Sequence, residues 1–263
     1  MVNFKKGSKQ IILSVTLMKA VLFDLDDTLF DHKFSRLKGL EALQKRFSKL
    51  KSVPLEELEA EHERLLSADY CQVLEGKLSI ADGTTQRITK LCKMYGVNLS
   101  LEEEKGTADL YNQEYLKSRQ PVPGSKELLT TLMNYAKLGV ITNGLVEPQM
   151  EKLQACKIDK LIDYFIISET VGYKKPSKEL FEAALEKVNV KPSDAVYVGD
   201  SWDCDILPAV AVGMRAVWLN RYGLECPNPK IACEINTFVD IDKNLFLSVP
   251  AETKRSQLNT LTT

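Results

Sequence analysis

The feature that most constrains this chain is a series of short apolar runs that each stop on polar or acidic residues. Ala20-Val21-Leu22-Phe23 gives way at once to Asp24-Leu25-Asp26-Asp27-Thr28. Gly139-Val140-Ile141 ends on Thr142-Asn143-Gly144, and Tyr164-Phe165-Ile166-Ile167 on Ser168. Ala195-Val196-Tyr197-Val198 ends on Gly199-Asp200-Ser201, and Arg215-Ala216-Val217-Trp218-Leu219 is a further run of the same kind. Runs this short and apolar predict strands buried on both faces. Helical patterns separate them, over 125–135, 147–156, 178–188 and 204–212; in one, Leu180, Phe181, Ala184, Leu185 and Val188 share a face. Alternating strands and helices predict an α/β fold, a Rossmann-like parallel sheet flanked by helices. Ligands of such sheets bind at the carboxyl ends of the strands.

One stretch breaks the alternation. Residues 34–118 are rich in Leu, Glu, Lys and Gln and show no strand pattern. Leu55, Leu58, Leu65 and Leu66 suit one helix face, as do Ile88, Leu91, Cys92 and Tyr95. This predicts an inserted all-helical cap domain, with Pro121-Val122-Pro123-Gly124 marking the return. Residues 18–33 and 119–247 then form the catalytic core. The polar stretch 248–263 reads as a disordered tail. Residues 1–17 carry Lys5, Lys6 and Lys9 before Ile11–Leu17, which mimics a short signal peptide. Lys19 interrupts the run and no small-residue cleavage site follows, so 1–17 reads as a non-catalytic extension ahead of a start at Met18, in a cytoplasmic protein.

Charge and cysteine content narrow the function. A net charge of −1 gives no electrostatic case for a nucleic-acid polymer or a membrane surface as partner. The six cysteines form no C-x-x-C pair and read as mostly buried thiols in a reducing compartment. With only two histidines, His32 and His62, a histidine-rich metal site is excluded, and a Ser-His-Asp triad is disfavoured. Monomer and homodimer both remain open.

A parallel sheet would bring Asp24, Asp26, Thr142, Lys175, Asp200 and Asp205 to one edge. Two carboxylates about 4 Å apart repel by roughly 4 kcal/mol at an effective dielectric of about 20. A divalent cation removes that conflict, and an all-oxygen donor set without His or Cys points to Mg²⁺. Asp24, Asp200 and Asp205 are therefore the expected metal site. Phosphoryl transfer fits what remains: a carboxylate nucleophile, a lysine to neutralise the phosphate, Thr142 and Asn143 with nearby N–H groups to hold its oxygens, and Asp26 as acid and base. The expected substrate is a small phosphomonoester.

These segments carry a resemblance. Phe23-Asp24-Leu25-Asp26-Asp27-Thr28-Leu29 resembles the first motif of the haloacid dehalogenase (HAD) superfamily, and Ile141-Thr142-Asn143-Gly144 the second. Gly172-Tyr173-Lys174-Lys175-Pro176 resembles the third, and Val198-Gly199-Asp200 through Asp205 the fourth. The resemblance implies a Rossmann-like core with a helical cap after the first strand. It implies Asp24 as nucleophile, Asp26 as acid/base, Thr142 and Lys175 as phosphate binders, and Asp200 and Asp205 at the metal. The backbone carbonyl of Asp26 is implied as a further ligand. Within the superfamily, Asp24–Asp31, Thr142–Glu147 and Pro176–Phe181 resemble the pyrimidine 5′-nucleotidase branch that accepts noncanonical nucleotides, implying nucleoside monophosphates as substrates. Cys204 stands where many relatives have Asn, and Pro208 where Gly is frequent.

Blander roles compete. Asp27 suits a cap or turn, Asp203 a helix start, and Lys174 a solvated surface. His32 and Trp202 serve equally well as packing residues or as the site rim, and Cys71 and Cys92 as packing inside the cap. The alternatives in function are a sugar-phosphate phosphatase, a phosphomutase on the same aspartyl-phosphate, a 2-haloacid dehalogenase, and a phospho-aspartate switch. Dehalogenases lack the second aspartate that Asp26 supplies, and switch domains carry no inserted cap.

Overall fold

The structure, a computed structural model, describes residues 18–248. The expected extension over 1–17, and the expected tail apart from Ser248, lie outside the described residues.

Strands β1 (Ala20–Phe23), β2 (Lys137–Thr142), β3 (Tyr164–Ile167), β4 (Ala195–Gly199), β5 (Arg215–Leu219) and β6 (Ala232–Ile235) form one parallel sheet in the order β3-β2-β1-β4-β5-β6. The chain builds outward from β1 on one side, then returns to build outward on the other. The order therefore reverses beside β1, where such sheets open a crevice at their carboxyl edge. Phe23 pairs with Val140 and with Val198, so β1, β2 and β4 finish nearly level, and the groups after them converge.

The pleat sorts the core. Val21, Phe23, Val140, Val196, Val198 and Val217 face one layer, packed by helices α6 (Ser125–Leu132), α7 (Val146–Ala155) and α11 (Asn244–Leu247). Ala20, Leu22, Ile141, Tyr197 and Trp218 face the other, under α9 (Lys178–Val188) and α10 (Leu207–Ala211). Successive side chains on a strand point to opposite faces, so these apolar runs supply both layers at once. A short helix, α8 (Ser168–Val171), leaves the end of β3.

The excursion between β1 and β2 is helical: α1 (His32–Arg46), α2 (Ser48–Lys51), α3 (Leu55–Leu74), α4 (Ile80–Met94) and α5 (Leu101–Lys117). It has its own apolar centre, which includes Leu40, Leu43, Leu58, Leu65, Ile88, Leu91, Cys92 and Tyr111. Ser79 caps α4 by accepting the Asp82 N–H at 3.0 Å, and the Ser100 N–H donates to Glu103 at 2.9 Å at the start of α5. Gly39 lets α1 and α5 approach closely, since a Cβ there would lie 2.5 Å from the Tyr111 ring.

Some expectations need correction. β6 carries no unbroken apolar run, and none of its residues is fully buried, so periodicity gave no sign of it. The pattern over 204–212 divides into a π-helical turn, Trp202–Ile206, followed by α10, with Pro208 in the first turn of α10, where a missing N–H is tolerated. The cysteines are not mostly buried: Cys92 and Cys156 are, Cys71 is exposed, and the rest are intermediate. Among the described residues no helix is long and apolar enough to cross a membrane.

Candidate active site

Asp24 follows β1 and is fixed there by its N–H, which donates to the Val198 carbonyl at 2.8 Å. The residue is 5% exposed. Lys175 Nζ donates to Asp24 Oδ1, and to Asp205 Oδ1 at 2.6 Å, so one buried ammonium joins two carboxylates. The Tyr197 hydroxyl donates to the same Asp205 oxygen at 2.9 Å, and the Ser201 N–H to the other at 3.0 Å. Gly199 makes room for this: a Cβ there would lie 2.5 Å from the Asp205 carboxylate. Asp200 accepts from the Thr28 hydroxyl at 3.3 Å, and its main-chain carbonyl accepts from Trp218 Nε1 at 2.8 Å.

Asp24, Asp200 and Asp205 each offer an oxygen, and these oxygens lie within 4.8 Å of one another. Crowding shows in their ionisation. Burial pushes the Asp24 carboxyl up to about 7; Lys175 opposes the rise, and the charges on Asp205 and Asp26 add to it. Burial also raises Asp200 well above the carboxylate range, reinforced by Asp205 and Asp24. Lys175 is held charged despite its burial, because Asp205 and Asp24 face it. Negative charge in excess of the single lysine, presented by hard oxygen donors alone, fits a small divalent cation of the magnesium type.

Asp26 lies apart from this cluster and is more open, its side chain 27% exposed. Lys152 Nζ reaches both of its oxygens, at 2.7 and 2.8 Å, and Gln149 Nε2 donates to it at 3.2 Å. Burial works against its ionisation, but Lys152 and then His32 outweigh it and hold the carboxyl well below the usual range. Gln149 also donates to Thr142 Oγ1 at 2.6 Å, which ties the end of β2 to Asp26. The Asn143 side chain is committed elsewhere: it accepts the Lys175 N–H at 2.7 Å and donates to the Lys175 carbonyl at 3.1 Å. Its side chain therefore fixes the lysine loop.

Asp27 has a left-handed backbone, φ 61°, and accepts the Lys33 N–H at 2.7 Å, so it caps the start of α1. Asp203 and Lys174 are exposed, and Lys174 Nζ lies 3.3 Å from the exposed Cys71 Sγ. Trp202 packs edge-on against Trp218. His32 stacks on Phe30 and sits 3.6 Å from Asp26.

Asp24, Asp26, Thr142, Asn143, Lys175, Asp200 and Asp205 all line one pocket of about 500 Å³. The helical insertion supplies a further part of the wall, including His62, Tyr70, Arg87 and Tyr111. Sequence reasoning missed Gln149 and Lys152. The available signal was a polar pair three residues apart on the same helix face as the buried Leu153.

Residues 18–213 match the family model described as haloacid dehalogenase-like hydrolase. A glyceraldehyde 3-phosphate phosphatase of Methanothermobacter thermautotrophicus is 33% identical over 206 residues, covering 78% of this chain and 86% of the relative. The pyrimidine 5′-nucleotidase YjjG of Escherichia coli is 38% identical over 108 residues, covering 41% of this chain and 48% of the relative. Among solved structures, the magnesium-bound putative HAD-hydrolase YfnB of Bacillus subtilis aligns with TM-score 0.63 and 23% identity, covering 84% of this chain and 95% of that one.

Proposed function

The chain belongs to the haloacid dehalogenase-like hydrolases, and from that premise we propose that it is a magnesium-dependent phosphatase that hydrolyses small phosphomonoesters through an aspartyl-phosphate on Asp24. The observation that carries this is the buried junction of Asp24, Lys175 and Asp205, with Asp200 alongside and a second aspartate, Asp26, facing the same pocket.

The carboxylates of Asp24 and Asp200 and the main-chain carbonyl of Asp26 would hold Mg²⁺. Asp205 is satisfied on both oxygens by Lys175, Tyr197 and Ser201, so it stands behind them. The ion supplies charge neutralisation for the transferring phosphoryl group and keeps Asp24 ionised. A carboxylate oxygen of Asp24 attacks phosphorus, and the bond to the ester oxygen breaks. Asp26 delivers a proton to that departing oxygen. Lys175 offsets the phosphate charge, while the Thr142 hydroxyl and the Asn143 N–H hold its oxygens. Asp26 then takes a proton from water as the water oxygen attacks phosphorus, which frees phosphate and restores Asp24.

Asp26 is ionised in this site because Lys152 neutralises it. A phosphate dianion beside Asp24 adds negative charge nearby, which raises the Asp26 pKa toward the protonated form the first step needs.

For the substrate, we favour pyrimidine nucleoside monophosphates. A pocket of about 500 Å³ with Tyr70, Tyr111 and Tyr115 in its wall suits a ring-bearing ester, and aromatic walls favour flat ligands. Sugar or triose phosphates are the second reading, favoured by the similarity, over 78% of this chain, to a glyceraldehyde 3-phosphate phosphatase. The test is phosphate release from UMP, dUMP, dTMP and glyceraldehyde 3-phosphate, with and without Mg²⁺, by the native protein and Asp24→Asn. Magnesium-dependent release that vanishes in Asp24→Asn is expected, with the nucleotides ranked first. Halide release from a haloacid without metal, or interconversion of sugar-phosphate isomers without free phosphate, would replace this reading.

A further inference from the structure

Most basic side chains in the pocket already have acid partners. Arg36 pairs with Glu59 at 2.8 Å and with Glu63 at 2.6 Å, and Arg119 with Glu151 at 3.2 Å. Lys152 pairs with Asp26, and Lys175 with Asp24 and Asp205. Arg87, on α4, differs. It is 8% exposed and forms no ion pair among the described residues. Its Nε donates to His62 Nε2 at 3.2 Å and its Nη2 to Thr84 Oγ1 at 3.2 Å, both neutral acceptors. Nη1 has no hydrogen-bond partner among the described residues. Burial weakens the guanidinium's hold on its proton, and its surroundings do not make up the difference.

His62 is arranged around this arginine. It is 1% exposed, stacks on Tyr111 at 5.1 Å, and spends Nε2 on Arg87. That bond requires the proton on Nδ1, which is buried and without a partner. Burial and the nearby Arg87 keep the ring neutral, so it stays an acceptor. A buried guanidinium without an ion-pair partner and an unmatched buried imidazole N–H are both costly, and such groups persist where a ligand completes the set.

We propose that Arg87, held by His62 and Thr84, recognises acceptor oxygens on the end of the substrate remote from its phosphate. Those oxygens belong to the carbonyl edge of a pyrimidine or to the carboxylate of a sugar acid. A planar guanidinium with one free donor nitrogen suits both, and an alkyl end would leave it unmatched. Arg87 and Asp24 line the same pocket from the insertion and the sheet edge, so phosphate at one end and acceptor at the other define the length of the substrate. This inference rests on the phosphatase reading and gives it a substrate class.

The test is calorimetric binding to Asp24→Asn protein, with Mg²⁺, of UMP, CMP, 6-phosphogluconate and phenyl phosphate, repeated with Arg87→Met added. Loss of the guanidinium should weaken UMP or 6-phosphogluconate roughly 10- to 100-fold more than phenyl phosphate. A loss confined to UMP identifies the pyrimidine carbonyl edge, with CMP affected less because an amine replaces one carbonyl. A loss confined to 6-phosphogluconate identifies a carboxylate. His62→Phe keeps a ring against Tyr111 and removes the acceptor for Nε, and should erode the same selectivity. Arg87→Lys should restore part of it. These variants keep the test open if Arg87→Met does not fold. Equal weakening of all four ligands, or no binding of UMP, CMP and 6-phosphogluconate, overturns the assignment. Failure of the native protein to release phosphate from any of them overturns the phosphatase reading instead, and the binding comparison remains decisive for Arg87.

Discussion

Asp205 accepts from three donors and Asp200 from one side-chain hydroxyl, and this asymmetry separates two acids that look equivalent in a motif. Asp200 has an oxygen to give to a cation. Asp205 has both oxygens engaged, and its loss would release Lys175 first. Asp200→Asn should therefore raise the Mg²⁺ concentration for half-maximal phosphate release by roughly 10- to 100-fold. Asp205→Asn should act mainly on kcat, by a comparable factor, because a misaligned lysine costs transition-state stabilisation rather than metal affinity. Magnesium titrations of the two variants distinguish these effects; a larger magnesium defect in Asp205→Asn would reverse the roles. Lys152 is the matching case at Asp26. It holds the carboxylate by both oxygens, so Lys152→Met should lower kcat/KM by about 10- to 100-fold while leaving the magnesium requirement unchanged. Steady-state kinetics at saturating Mg²⁺ measure it.

At the scale of elements, the carboxyl edge of the sheet depends on how closely β4 approaches the turn that follows it. Gly199→Ala would drive a methyl group into the Asp205 side chain, whose carboxylate is held in place by Lys175, Tyr197 and the Ser201 N–H. The expected cost is about 1–3 kcal/mol of stability from overpacking, with loss of most activity because Lys175 moves with Asp205. Thermal unfolding and phosphate release check the two parts, and a stable, fully active variant would show that the junction tolerates displacement. These elements also show what the sequence made legible. β1 to β5 were readable because each is an apolar run that stops on a polar group. A parallel strand covered on both faces has to look that way. β6 was not, because an edge strand with half-exposed residues lacks that pressure. Asp24, Asp26, Asp200 and Asp205 could be brought to one edge because acids at strand ends converge by topology alone, whereas Lys175, in the loop beyond α8, was singled out over Lys174 only by the motif that 172–176 resembles. Gln149 and Lys152 were not, since a polar pair on a helix normally marks its solvent face. Only the packing of α7 over the end of β1 turns that pair inward. Asn143 shows the same limit: its residue type suggests a phosphate ligand, yet its side chain binds the Lys175 backbone.

The whole molecule carries the electrostatic cost of its site. Without a cation, Asp24 has a folded pKa of about 7 against an ordinary value of 3.8, and Asp200 is raised as well. A raised acid pKa means that the folded state holds its proton more tightly than the unfolded chain. For Asp24, between about pH 4 and pH 7 the unfolded state loses that proton while the fold retains it, so it makes the metal-free fold less stable as pH rises through the window, and Asp200 acts in the same direction. Magnesium bound to the ionised acids removes the penalty and adds its own binding free energy. At a free concentration 100 times its dissociation constant that addition is about 2.7 kcal/mol. For a protein of this size it corresponds to a rise of roughly 5–10 °C in unfolding temperature. The expected result is a clear rise in Tm with Mg²⁺ at pH 8, reversed by chelator and much smaller at pH 5.5, where protons compete for the same oxygens. Asp200→Asn removes one of the crowded charges, so it should raise the metal-free Tm at pH 8 while reducing the gain on adding magnesium. Scanning calorimetry of native protein and variant at both pH values tests this. A magnesium-induced rise of equal size at pH 5.5 and pH 8 would mean that the ion binds away from these carboxylates.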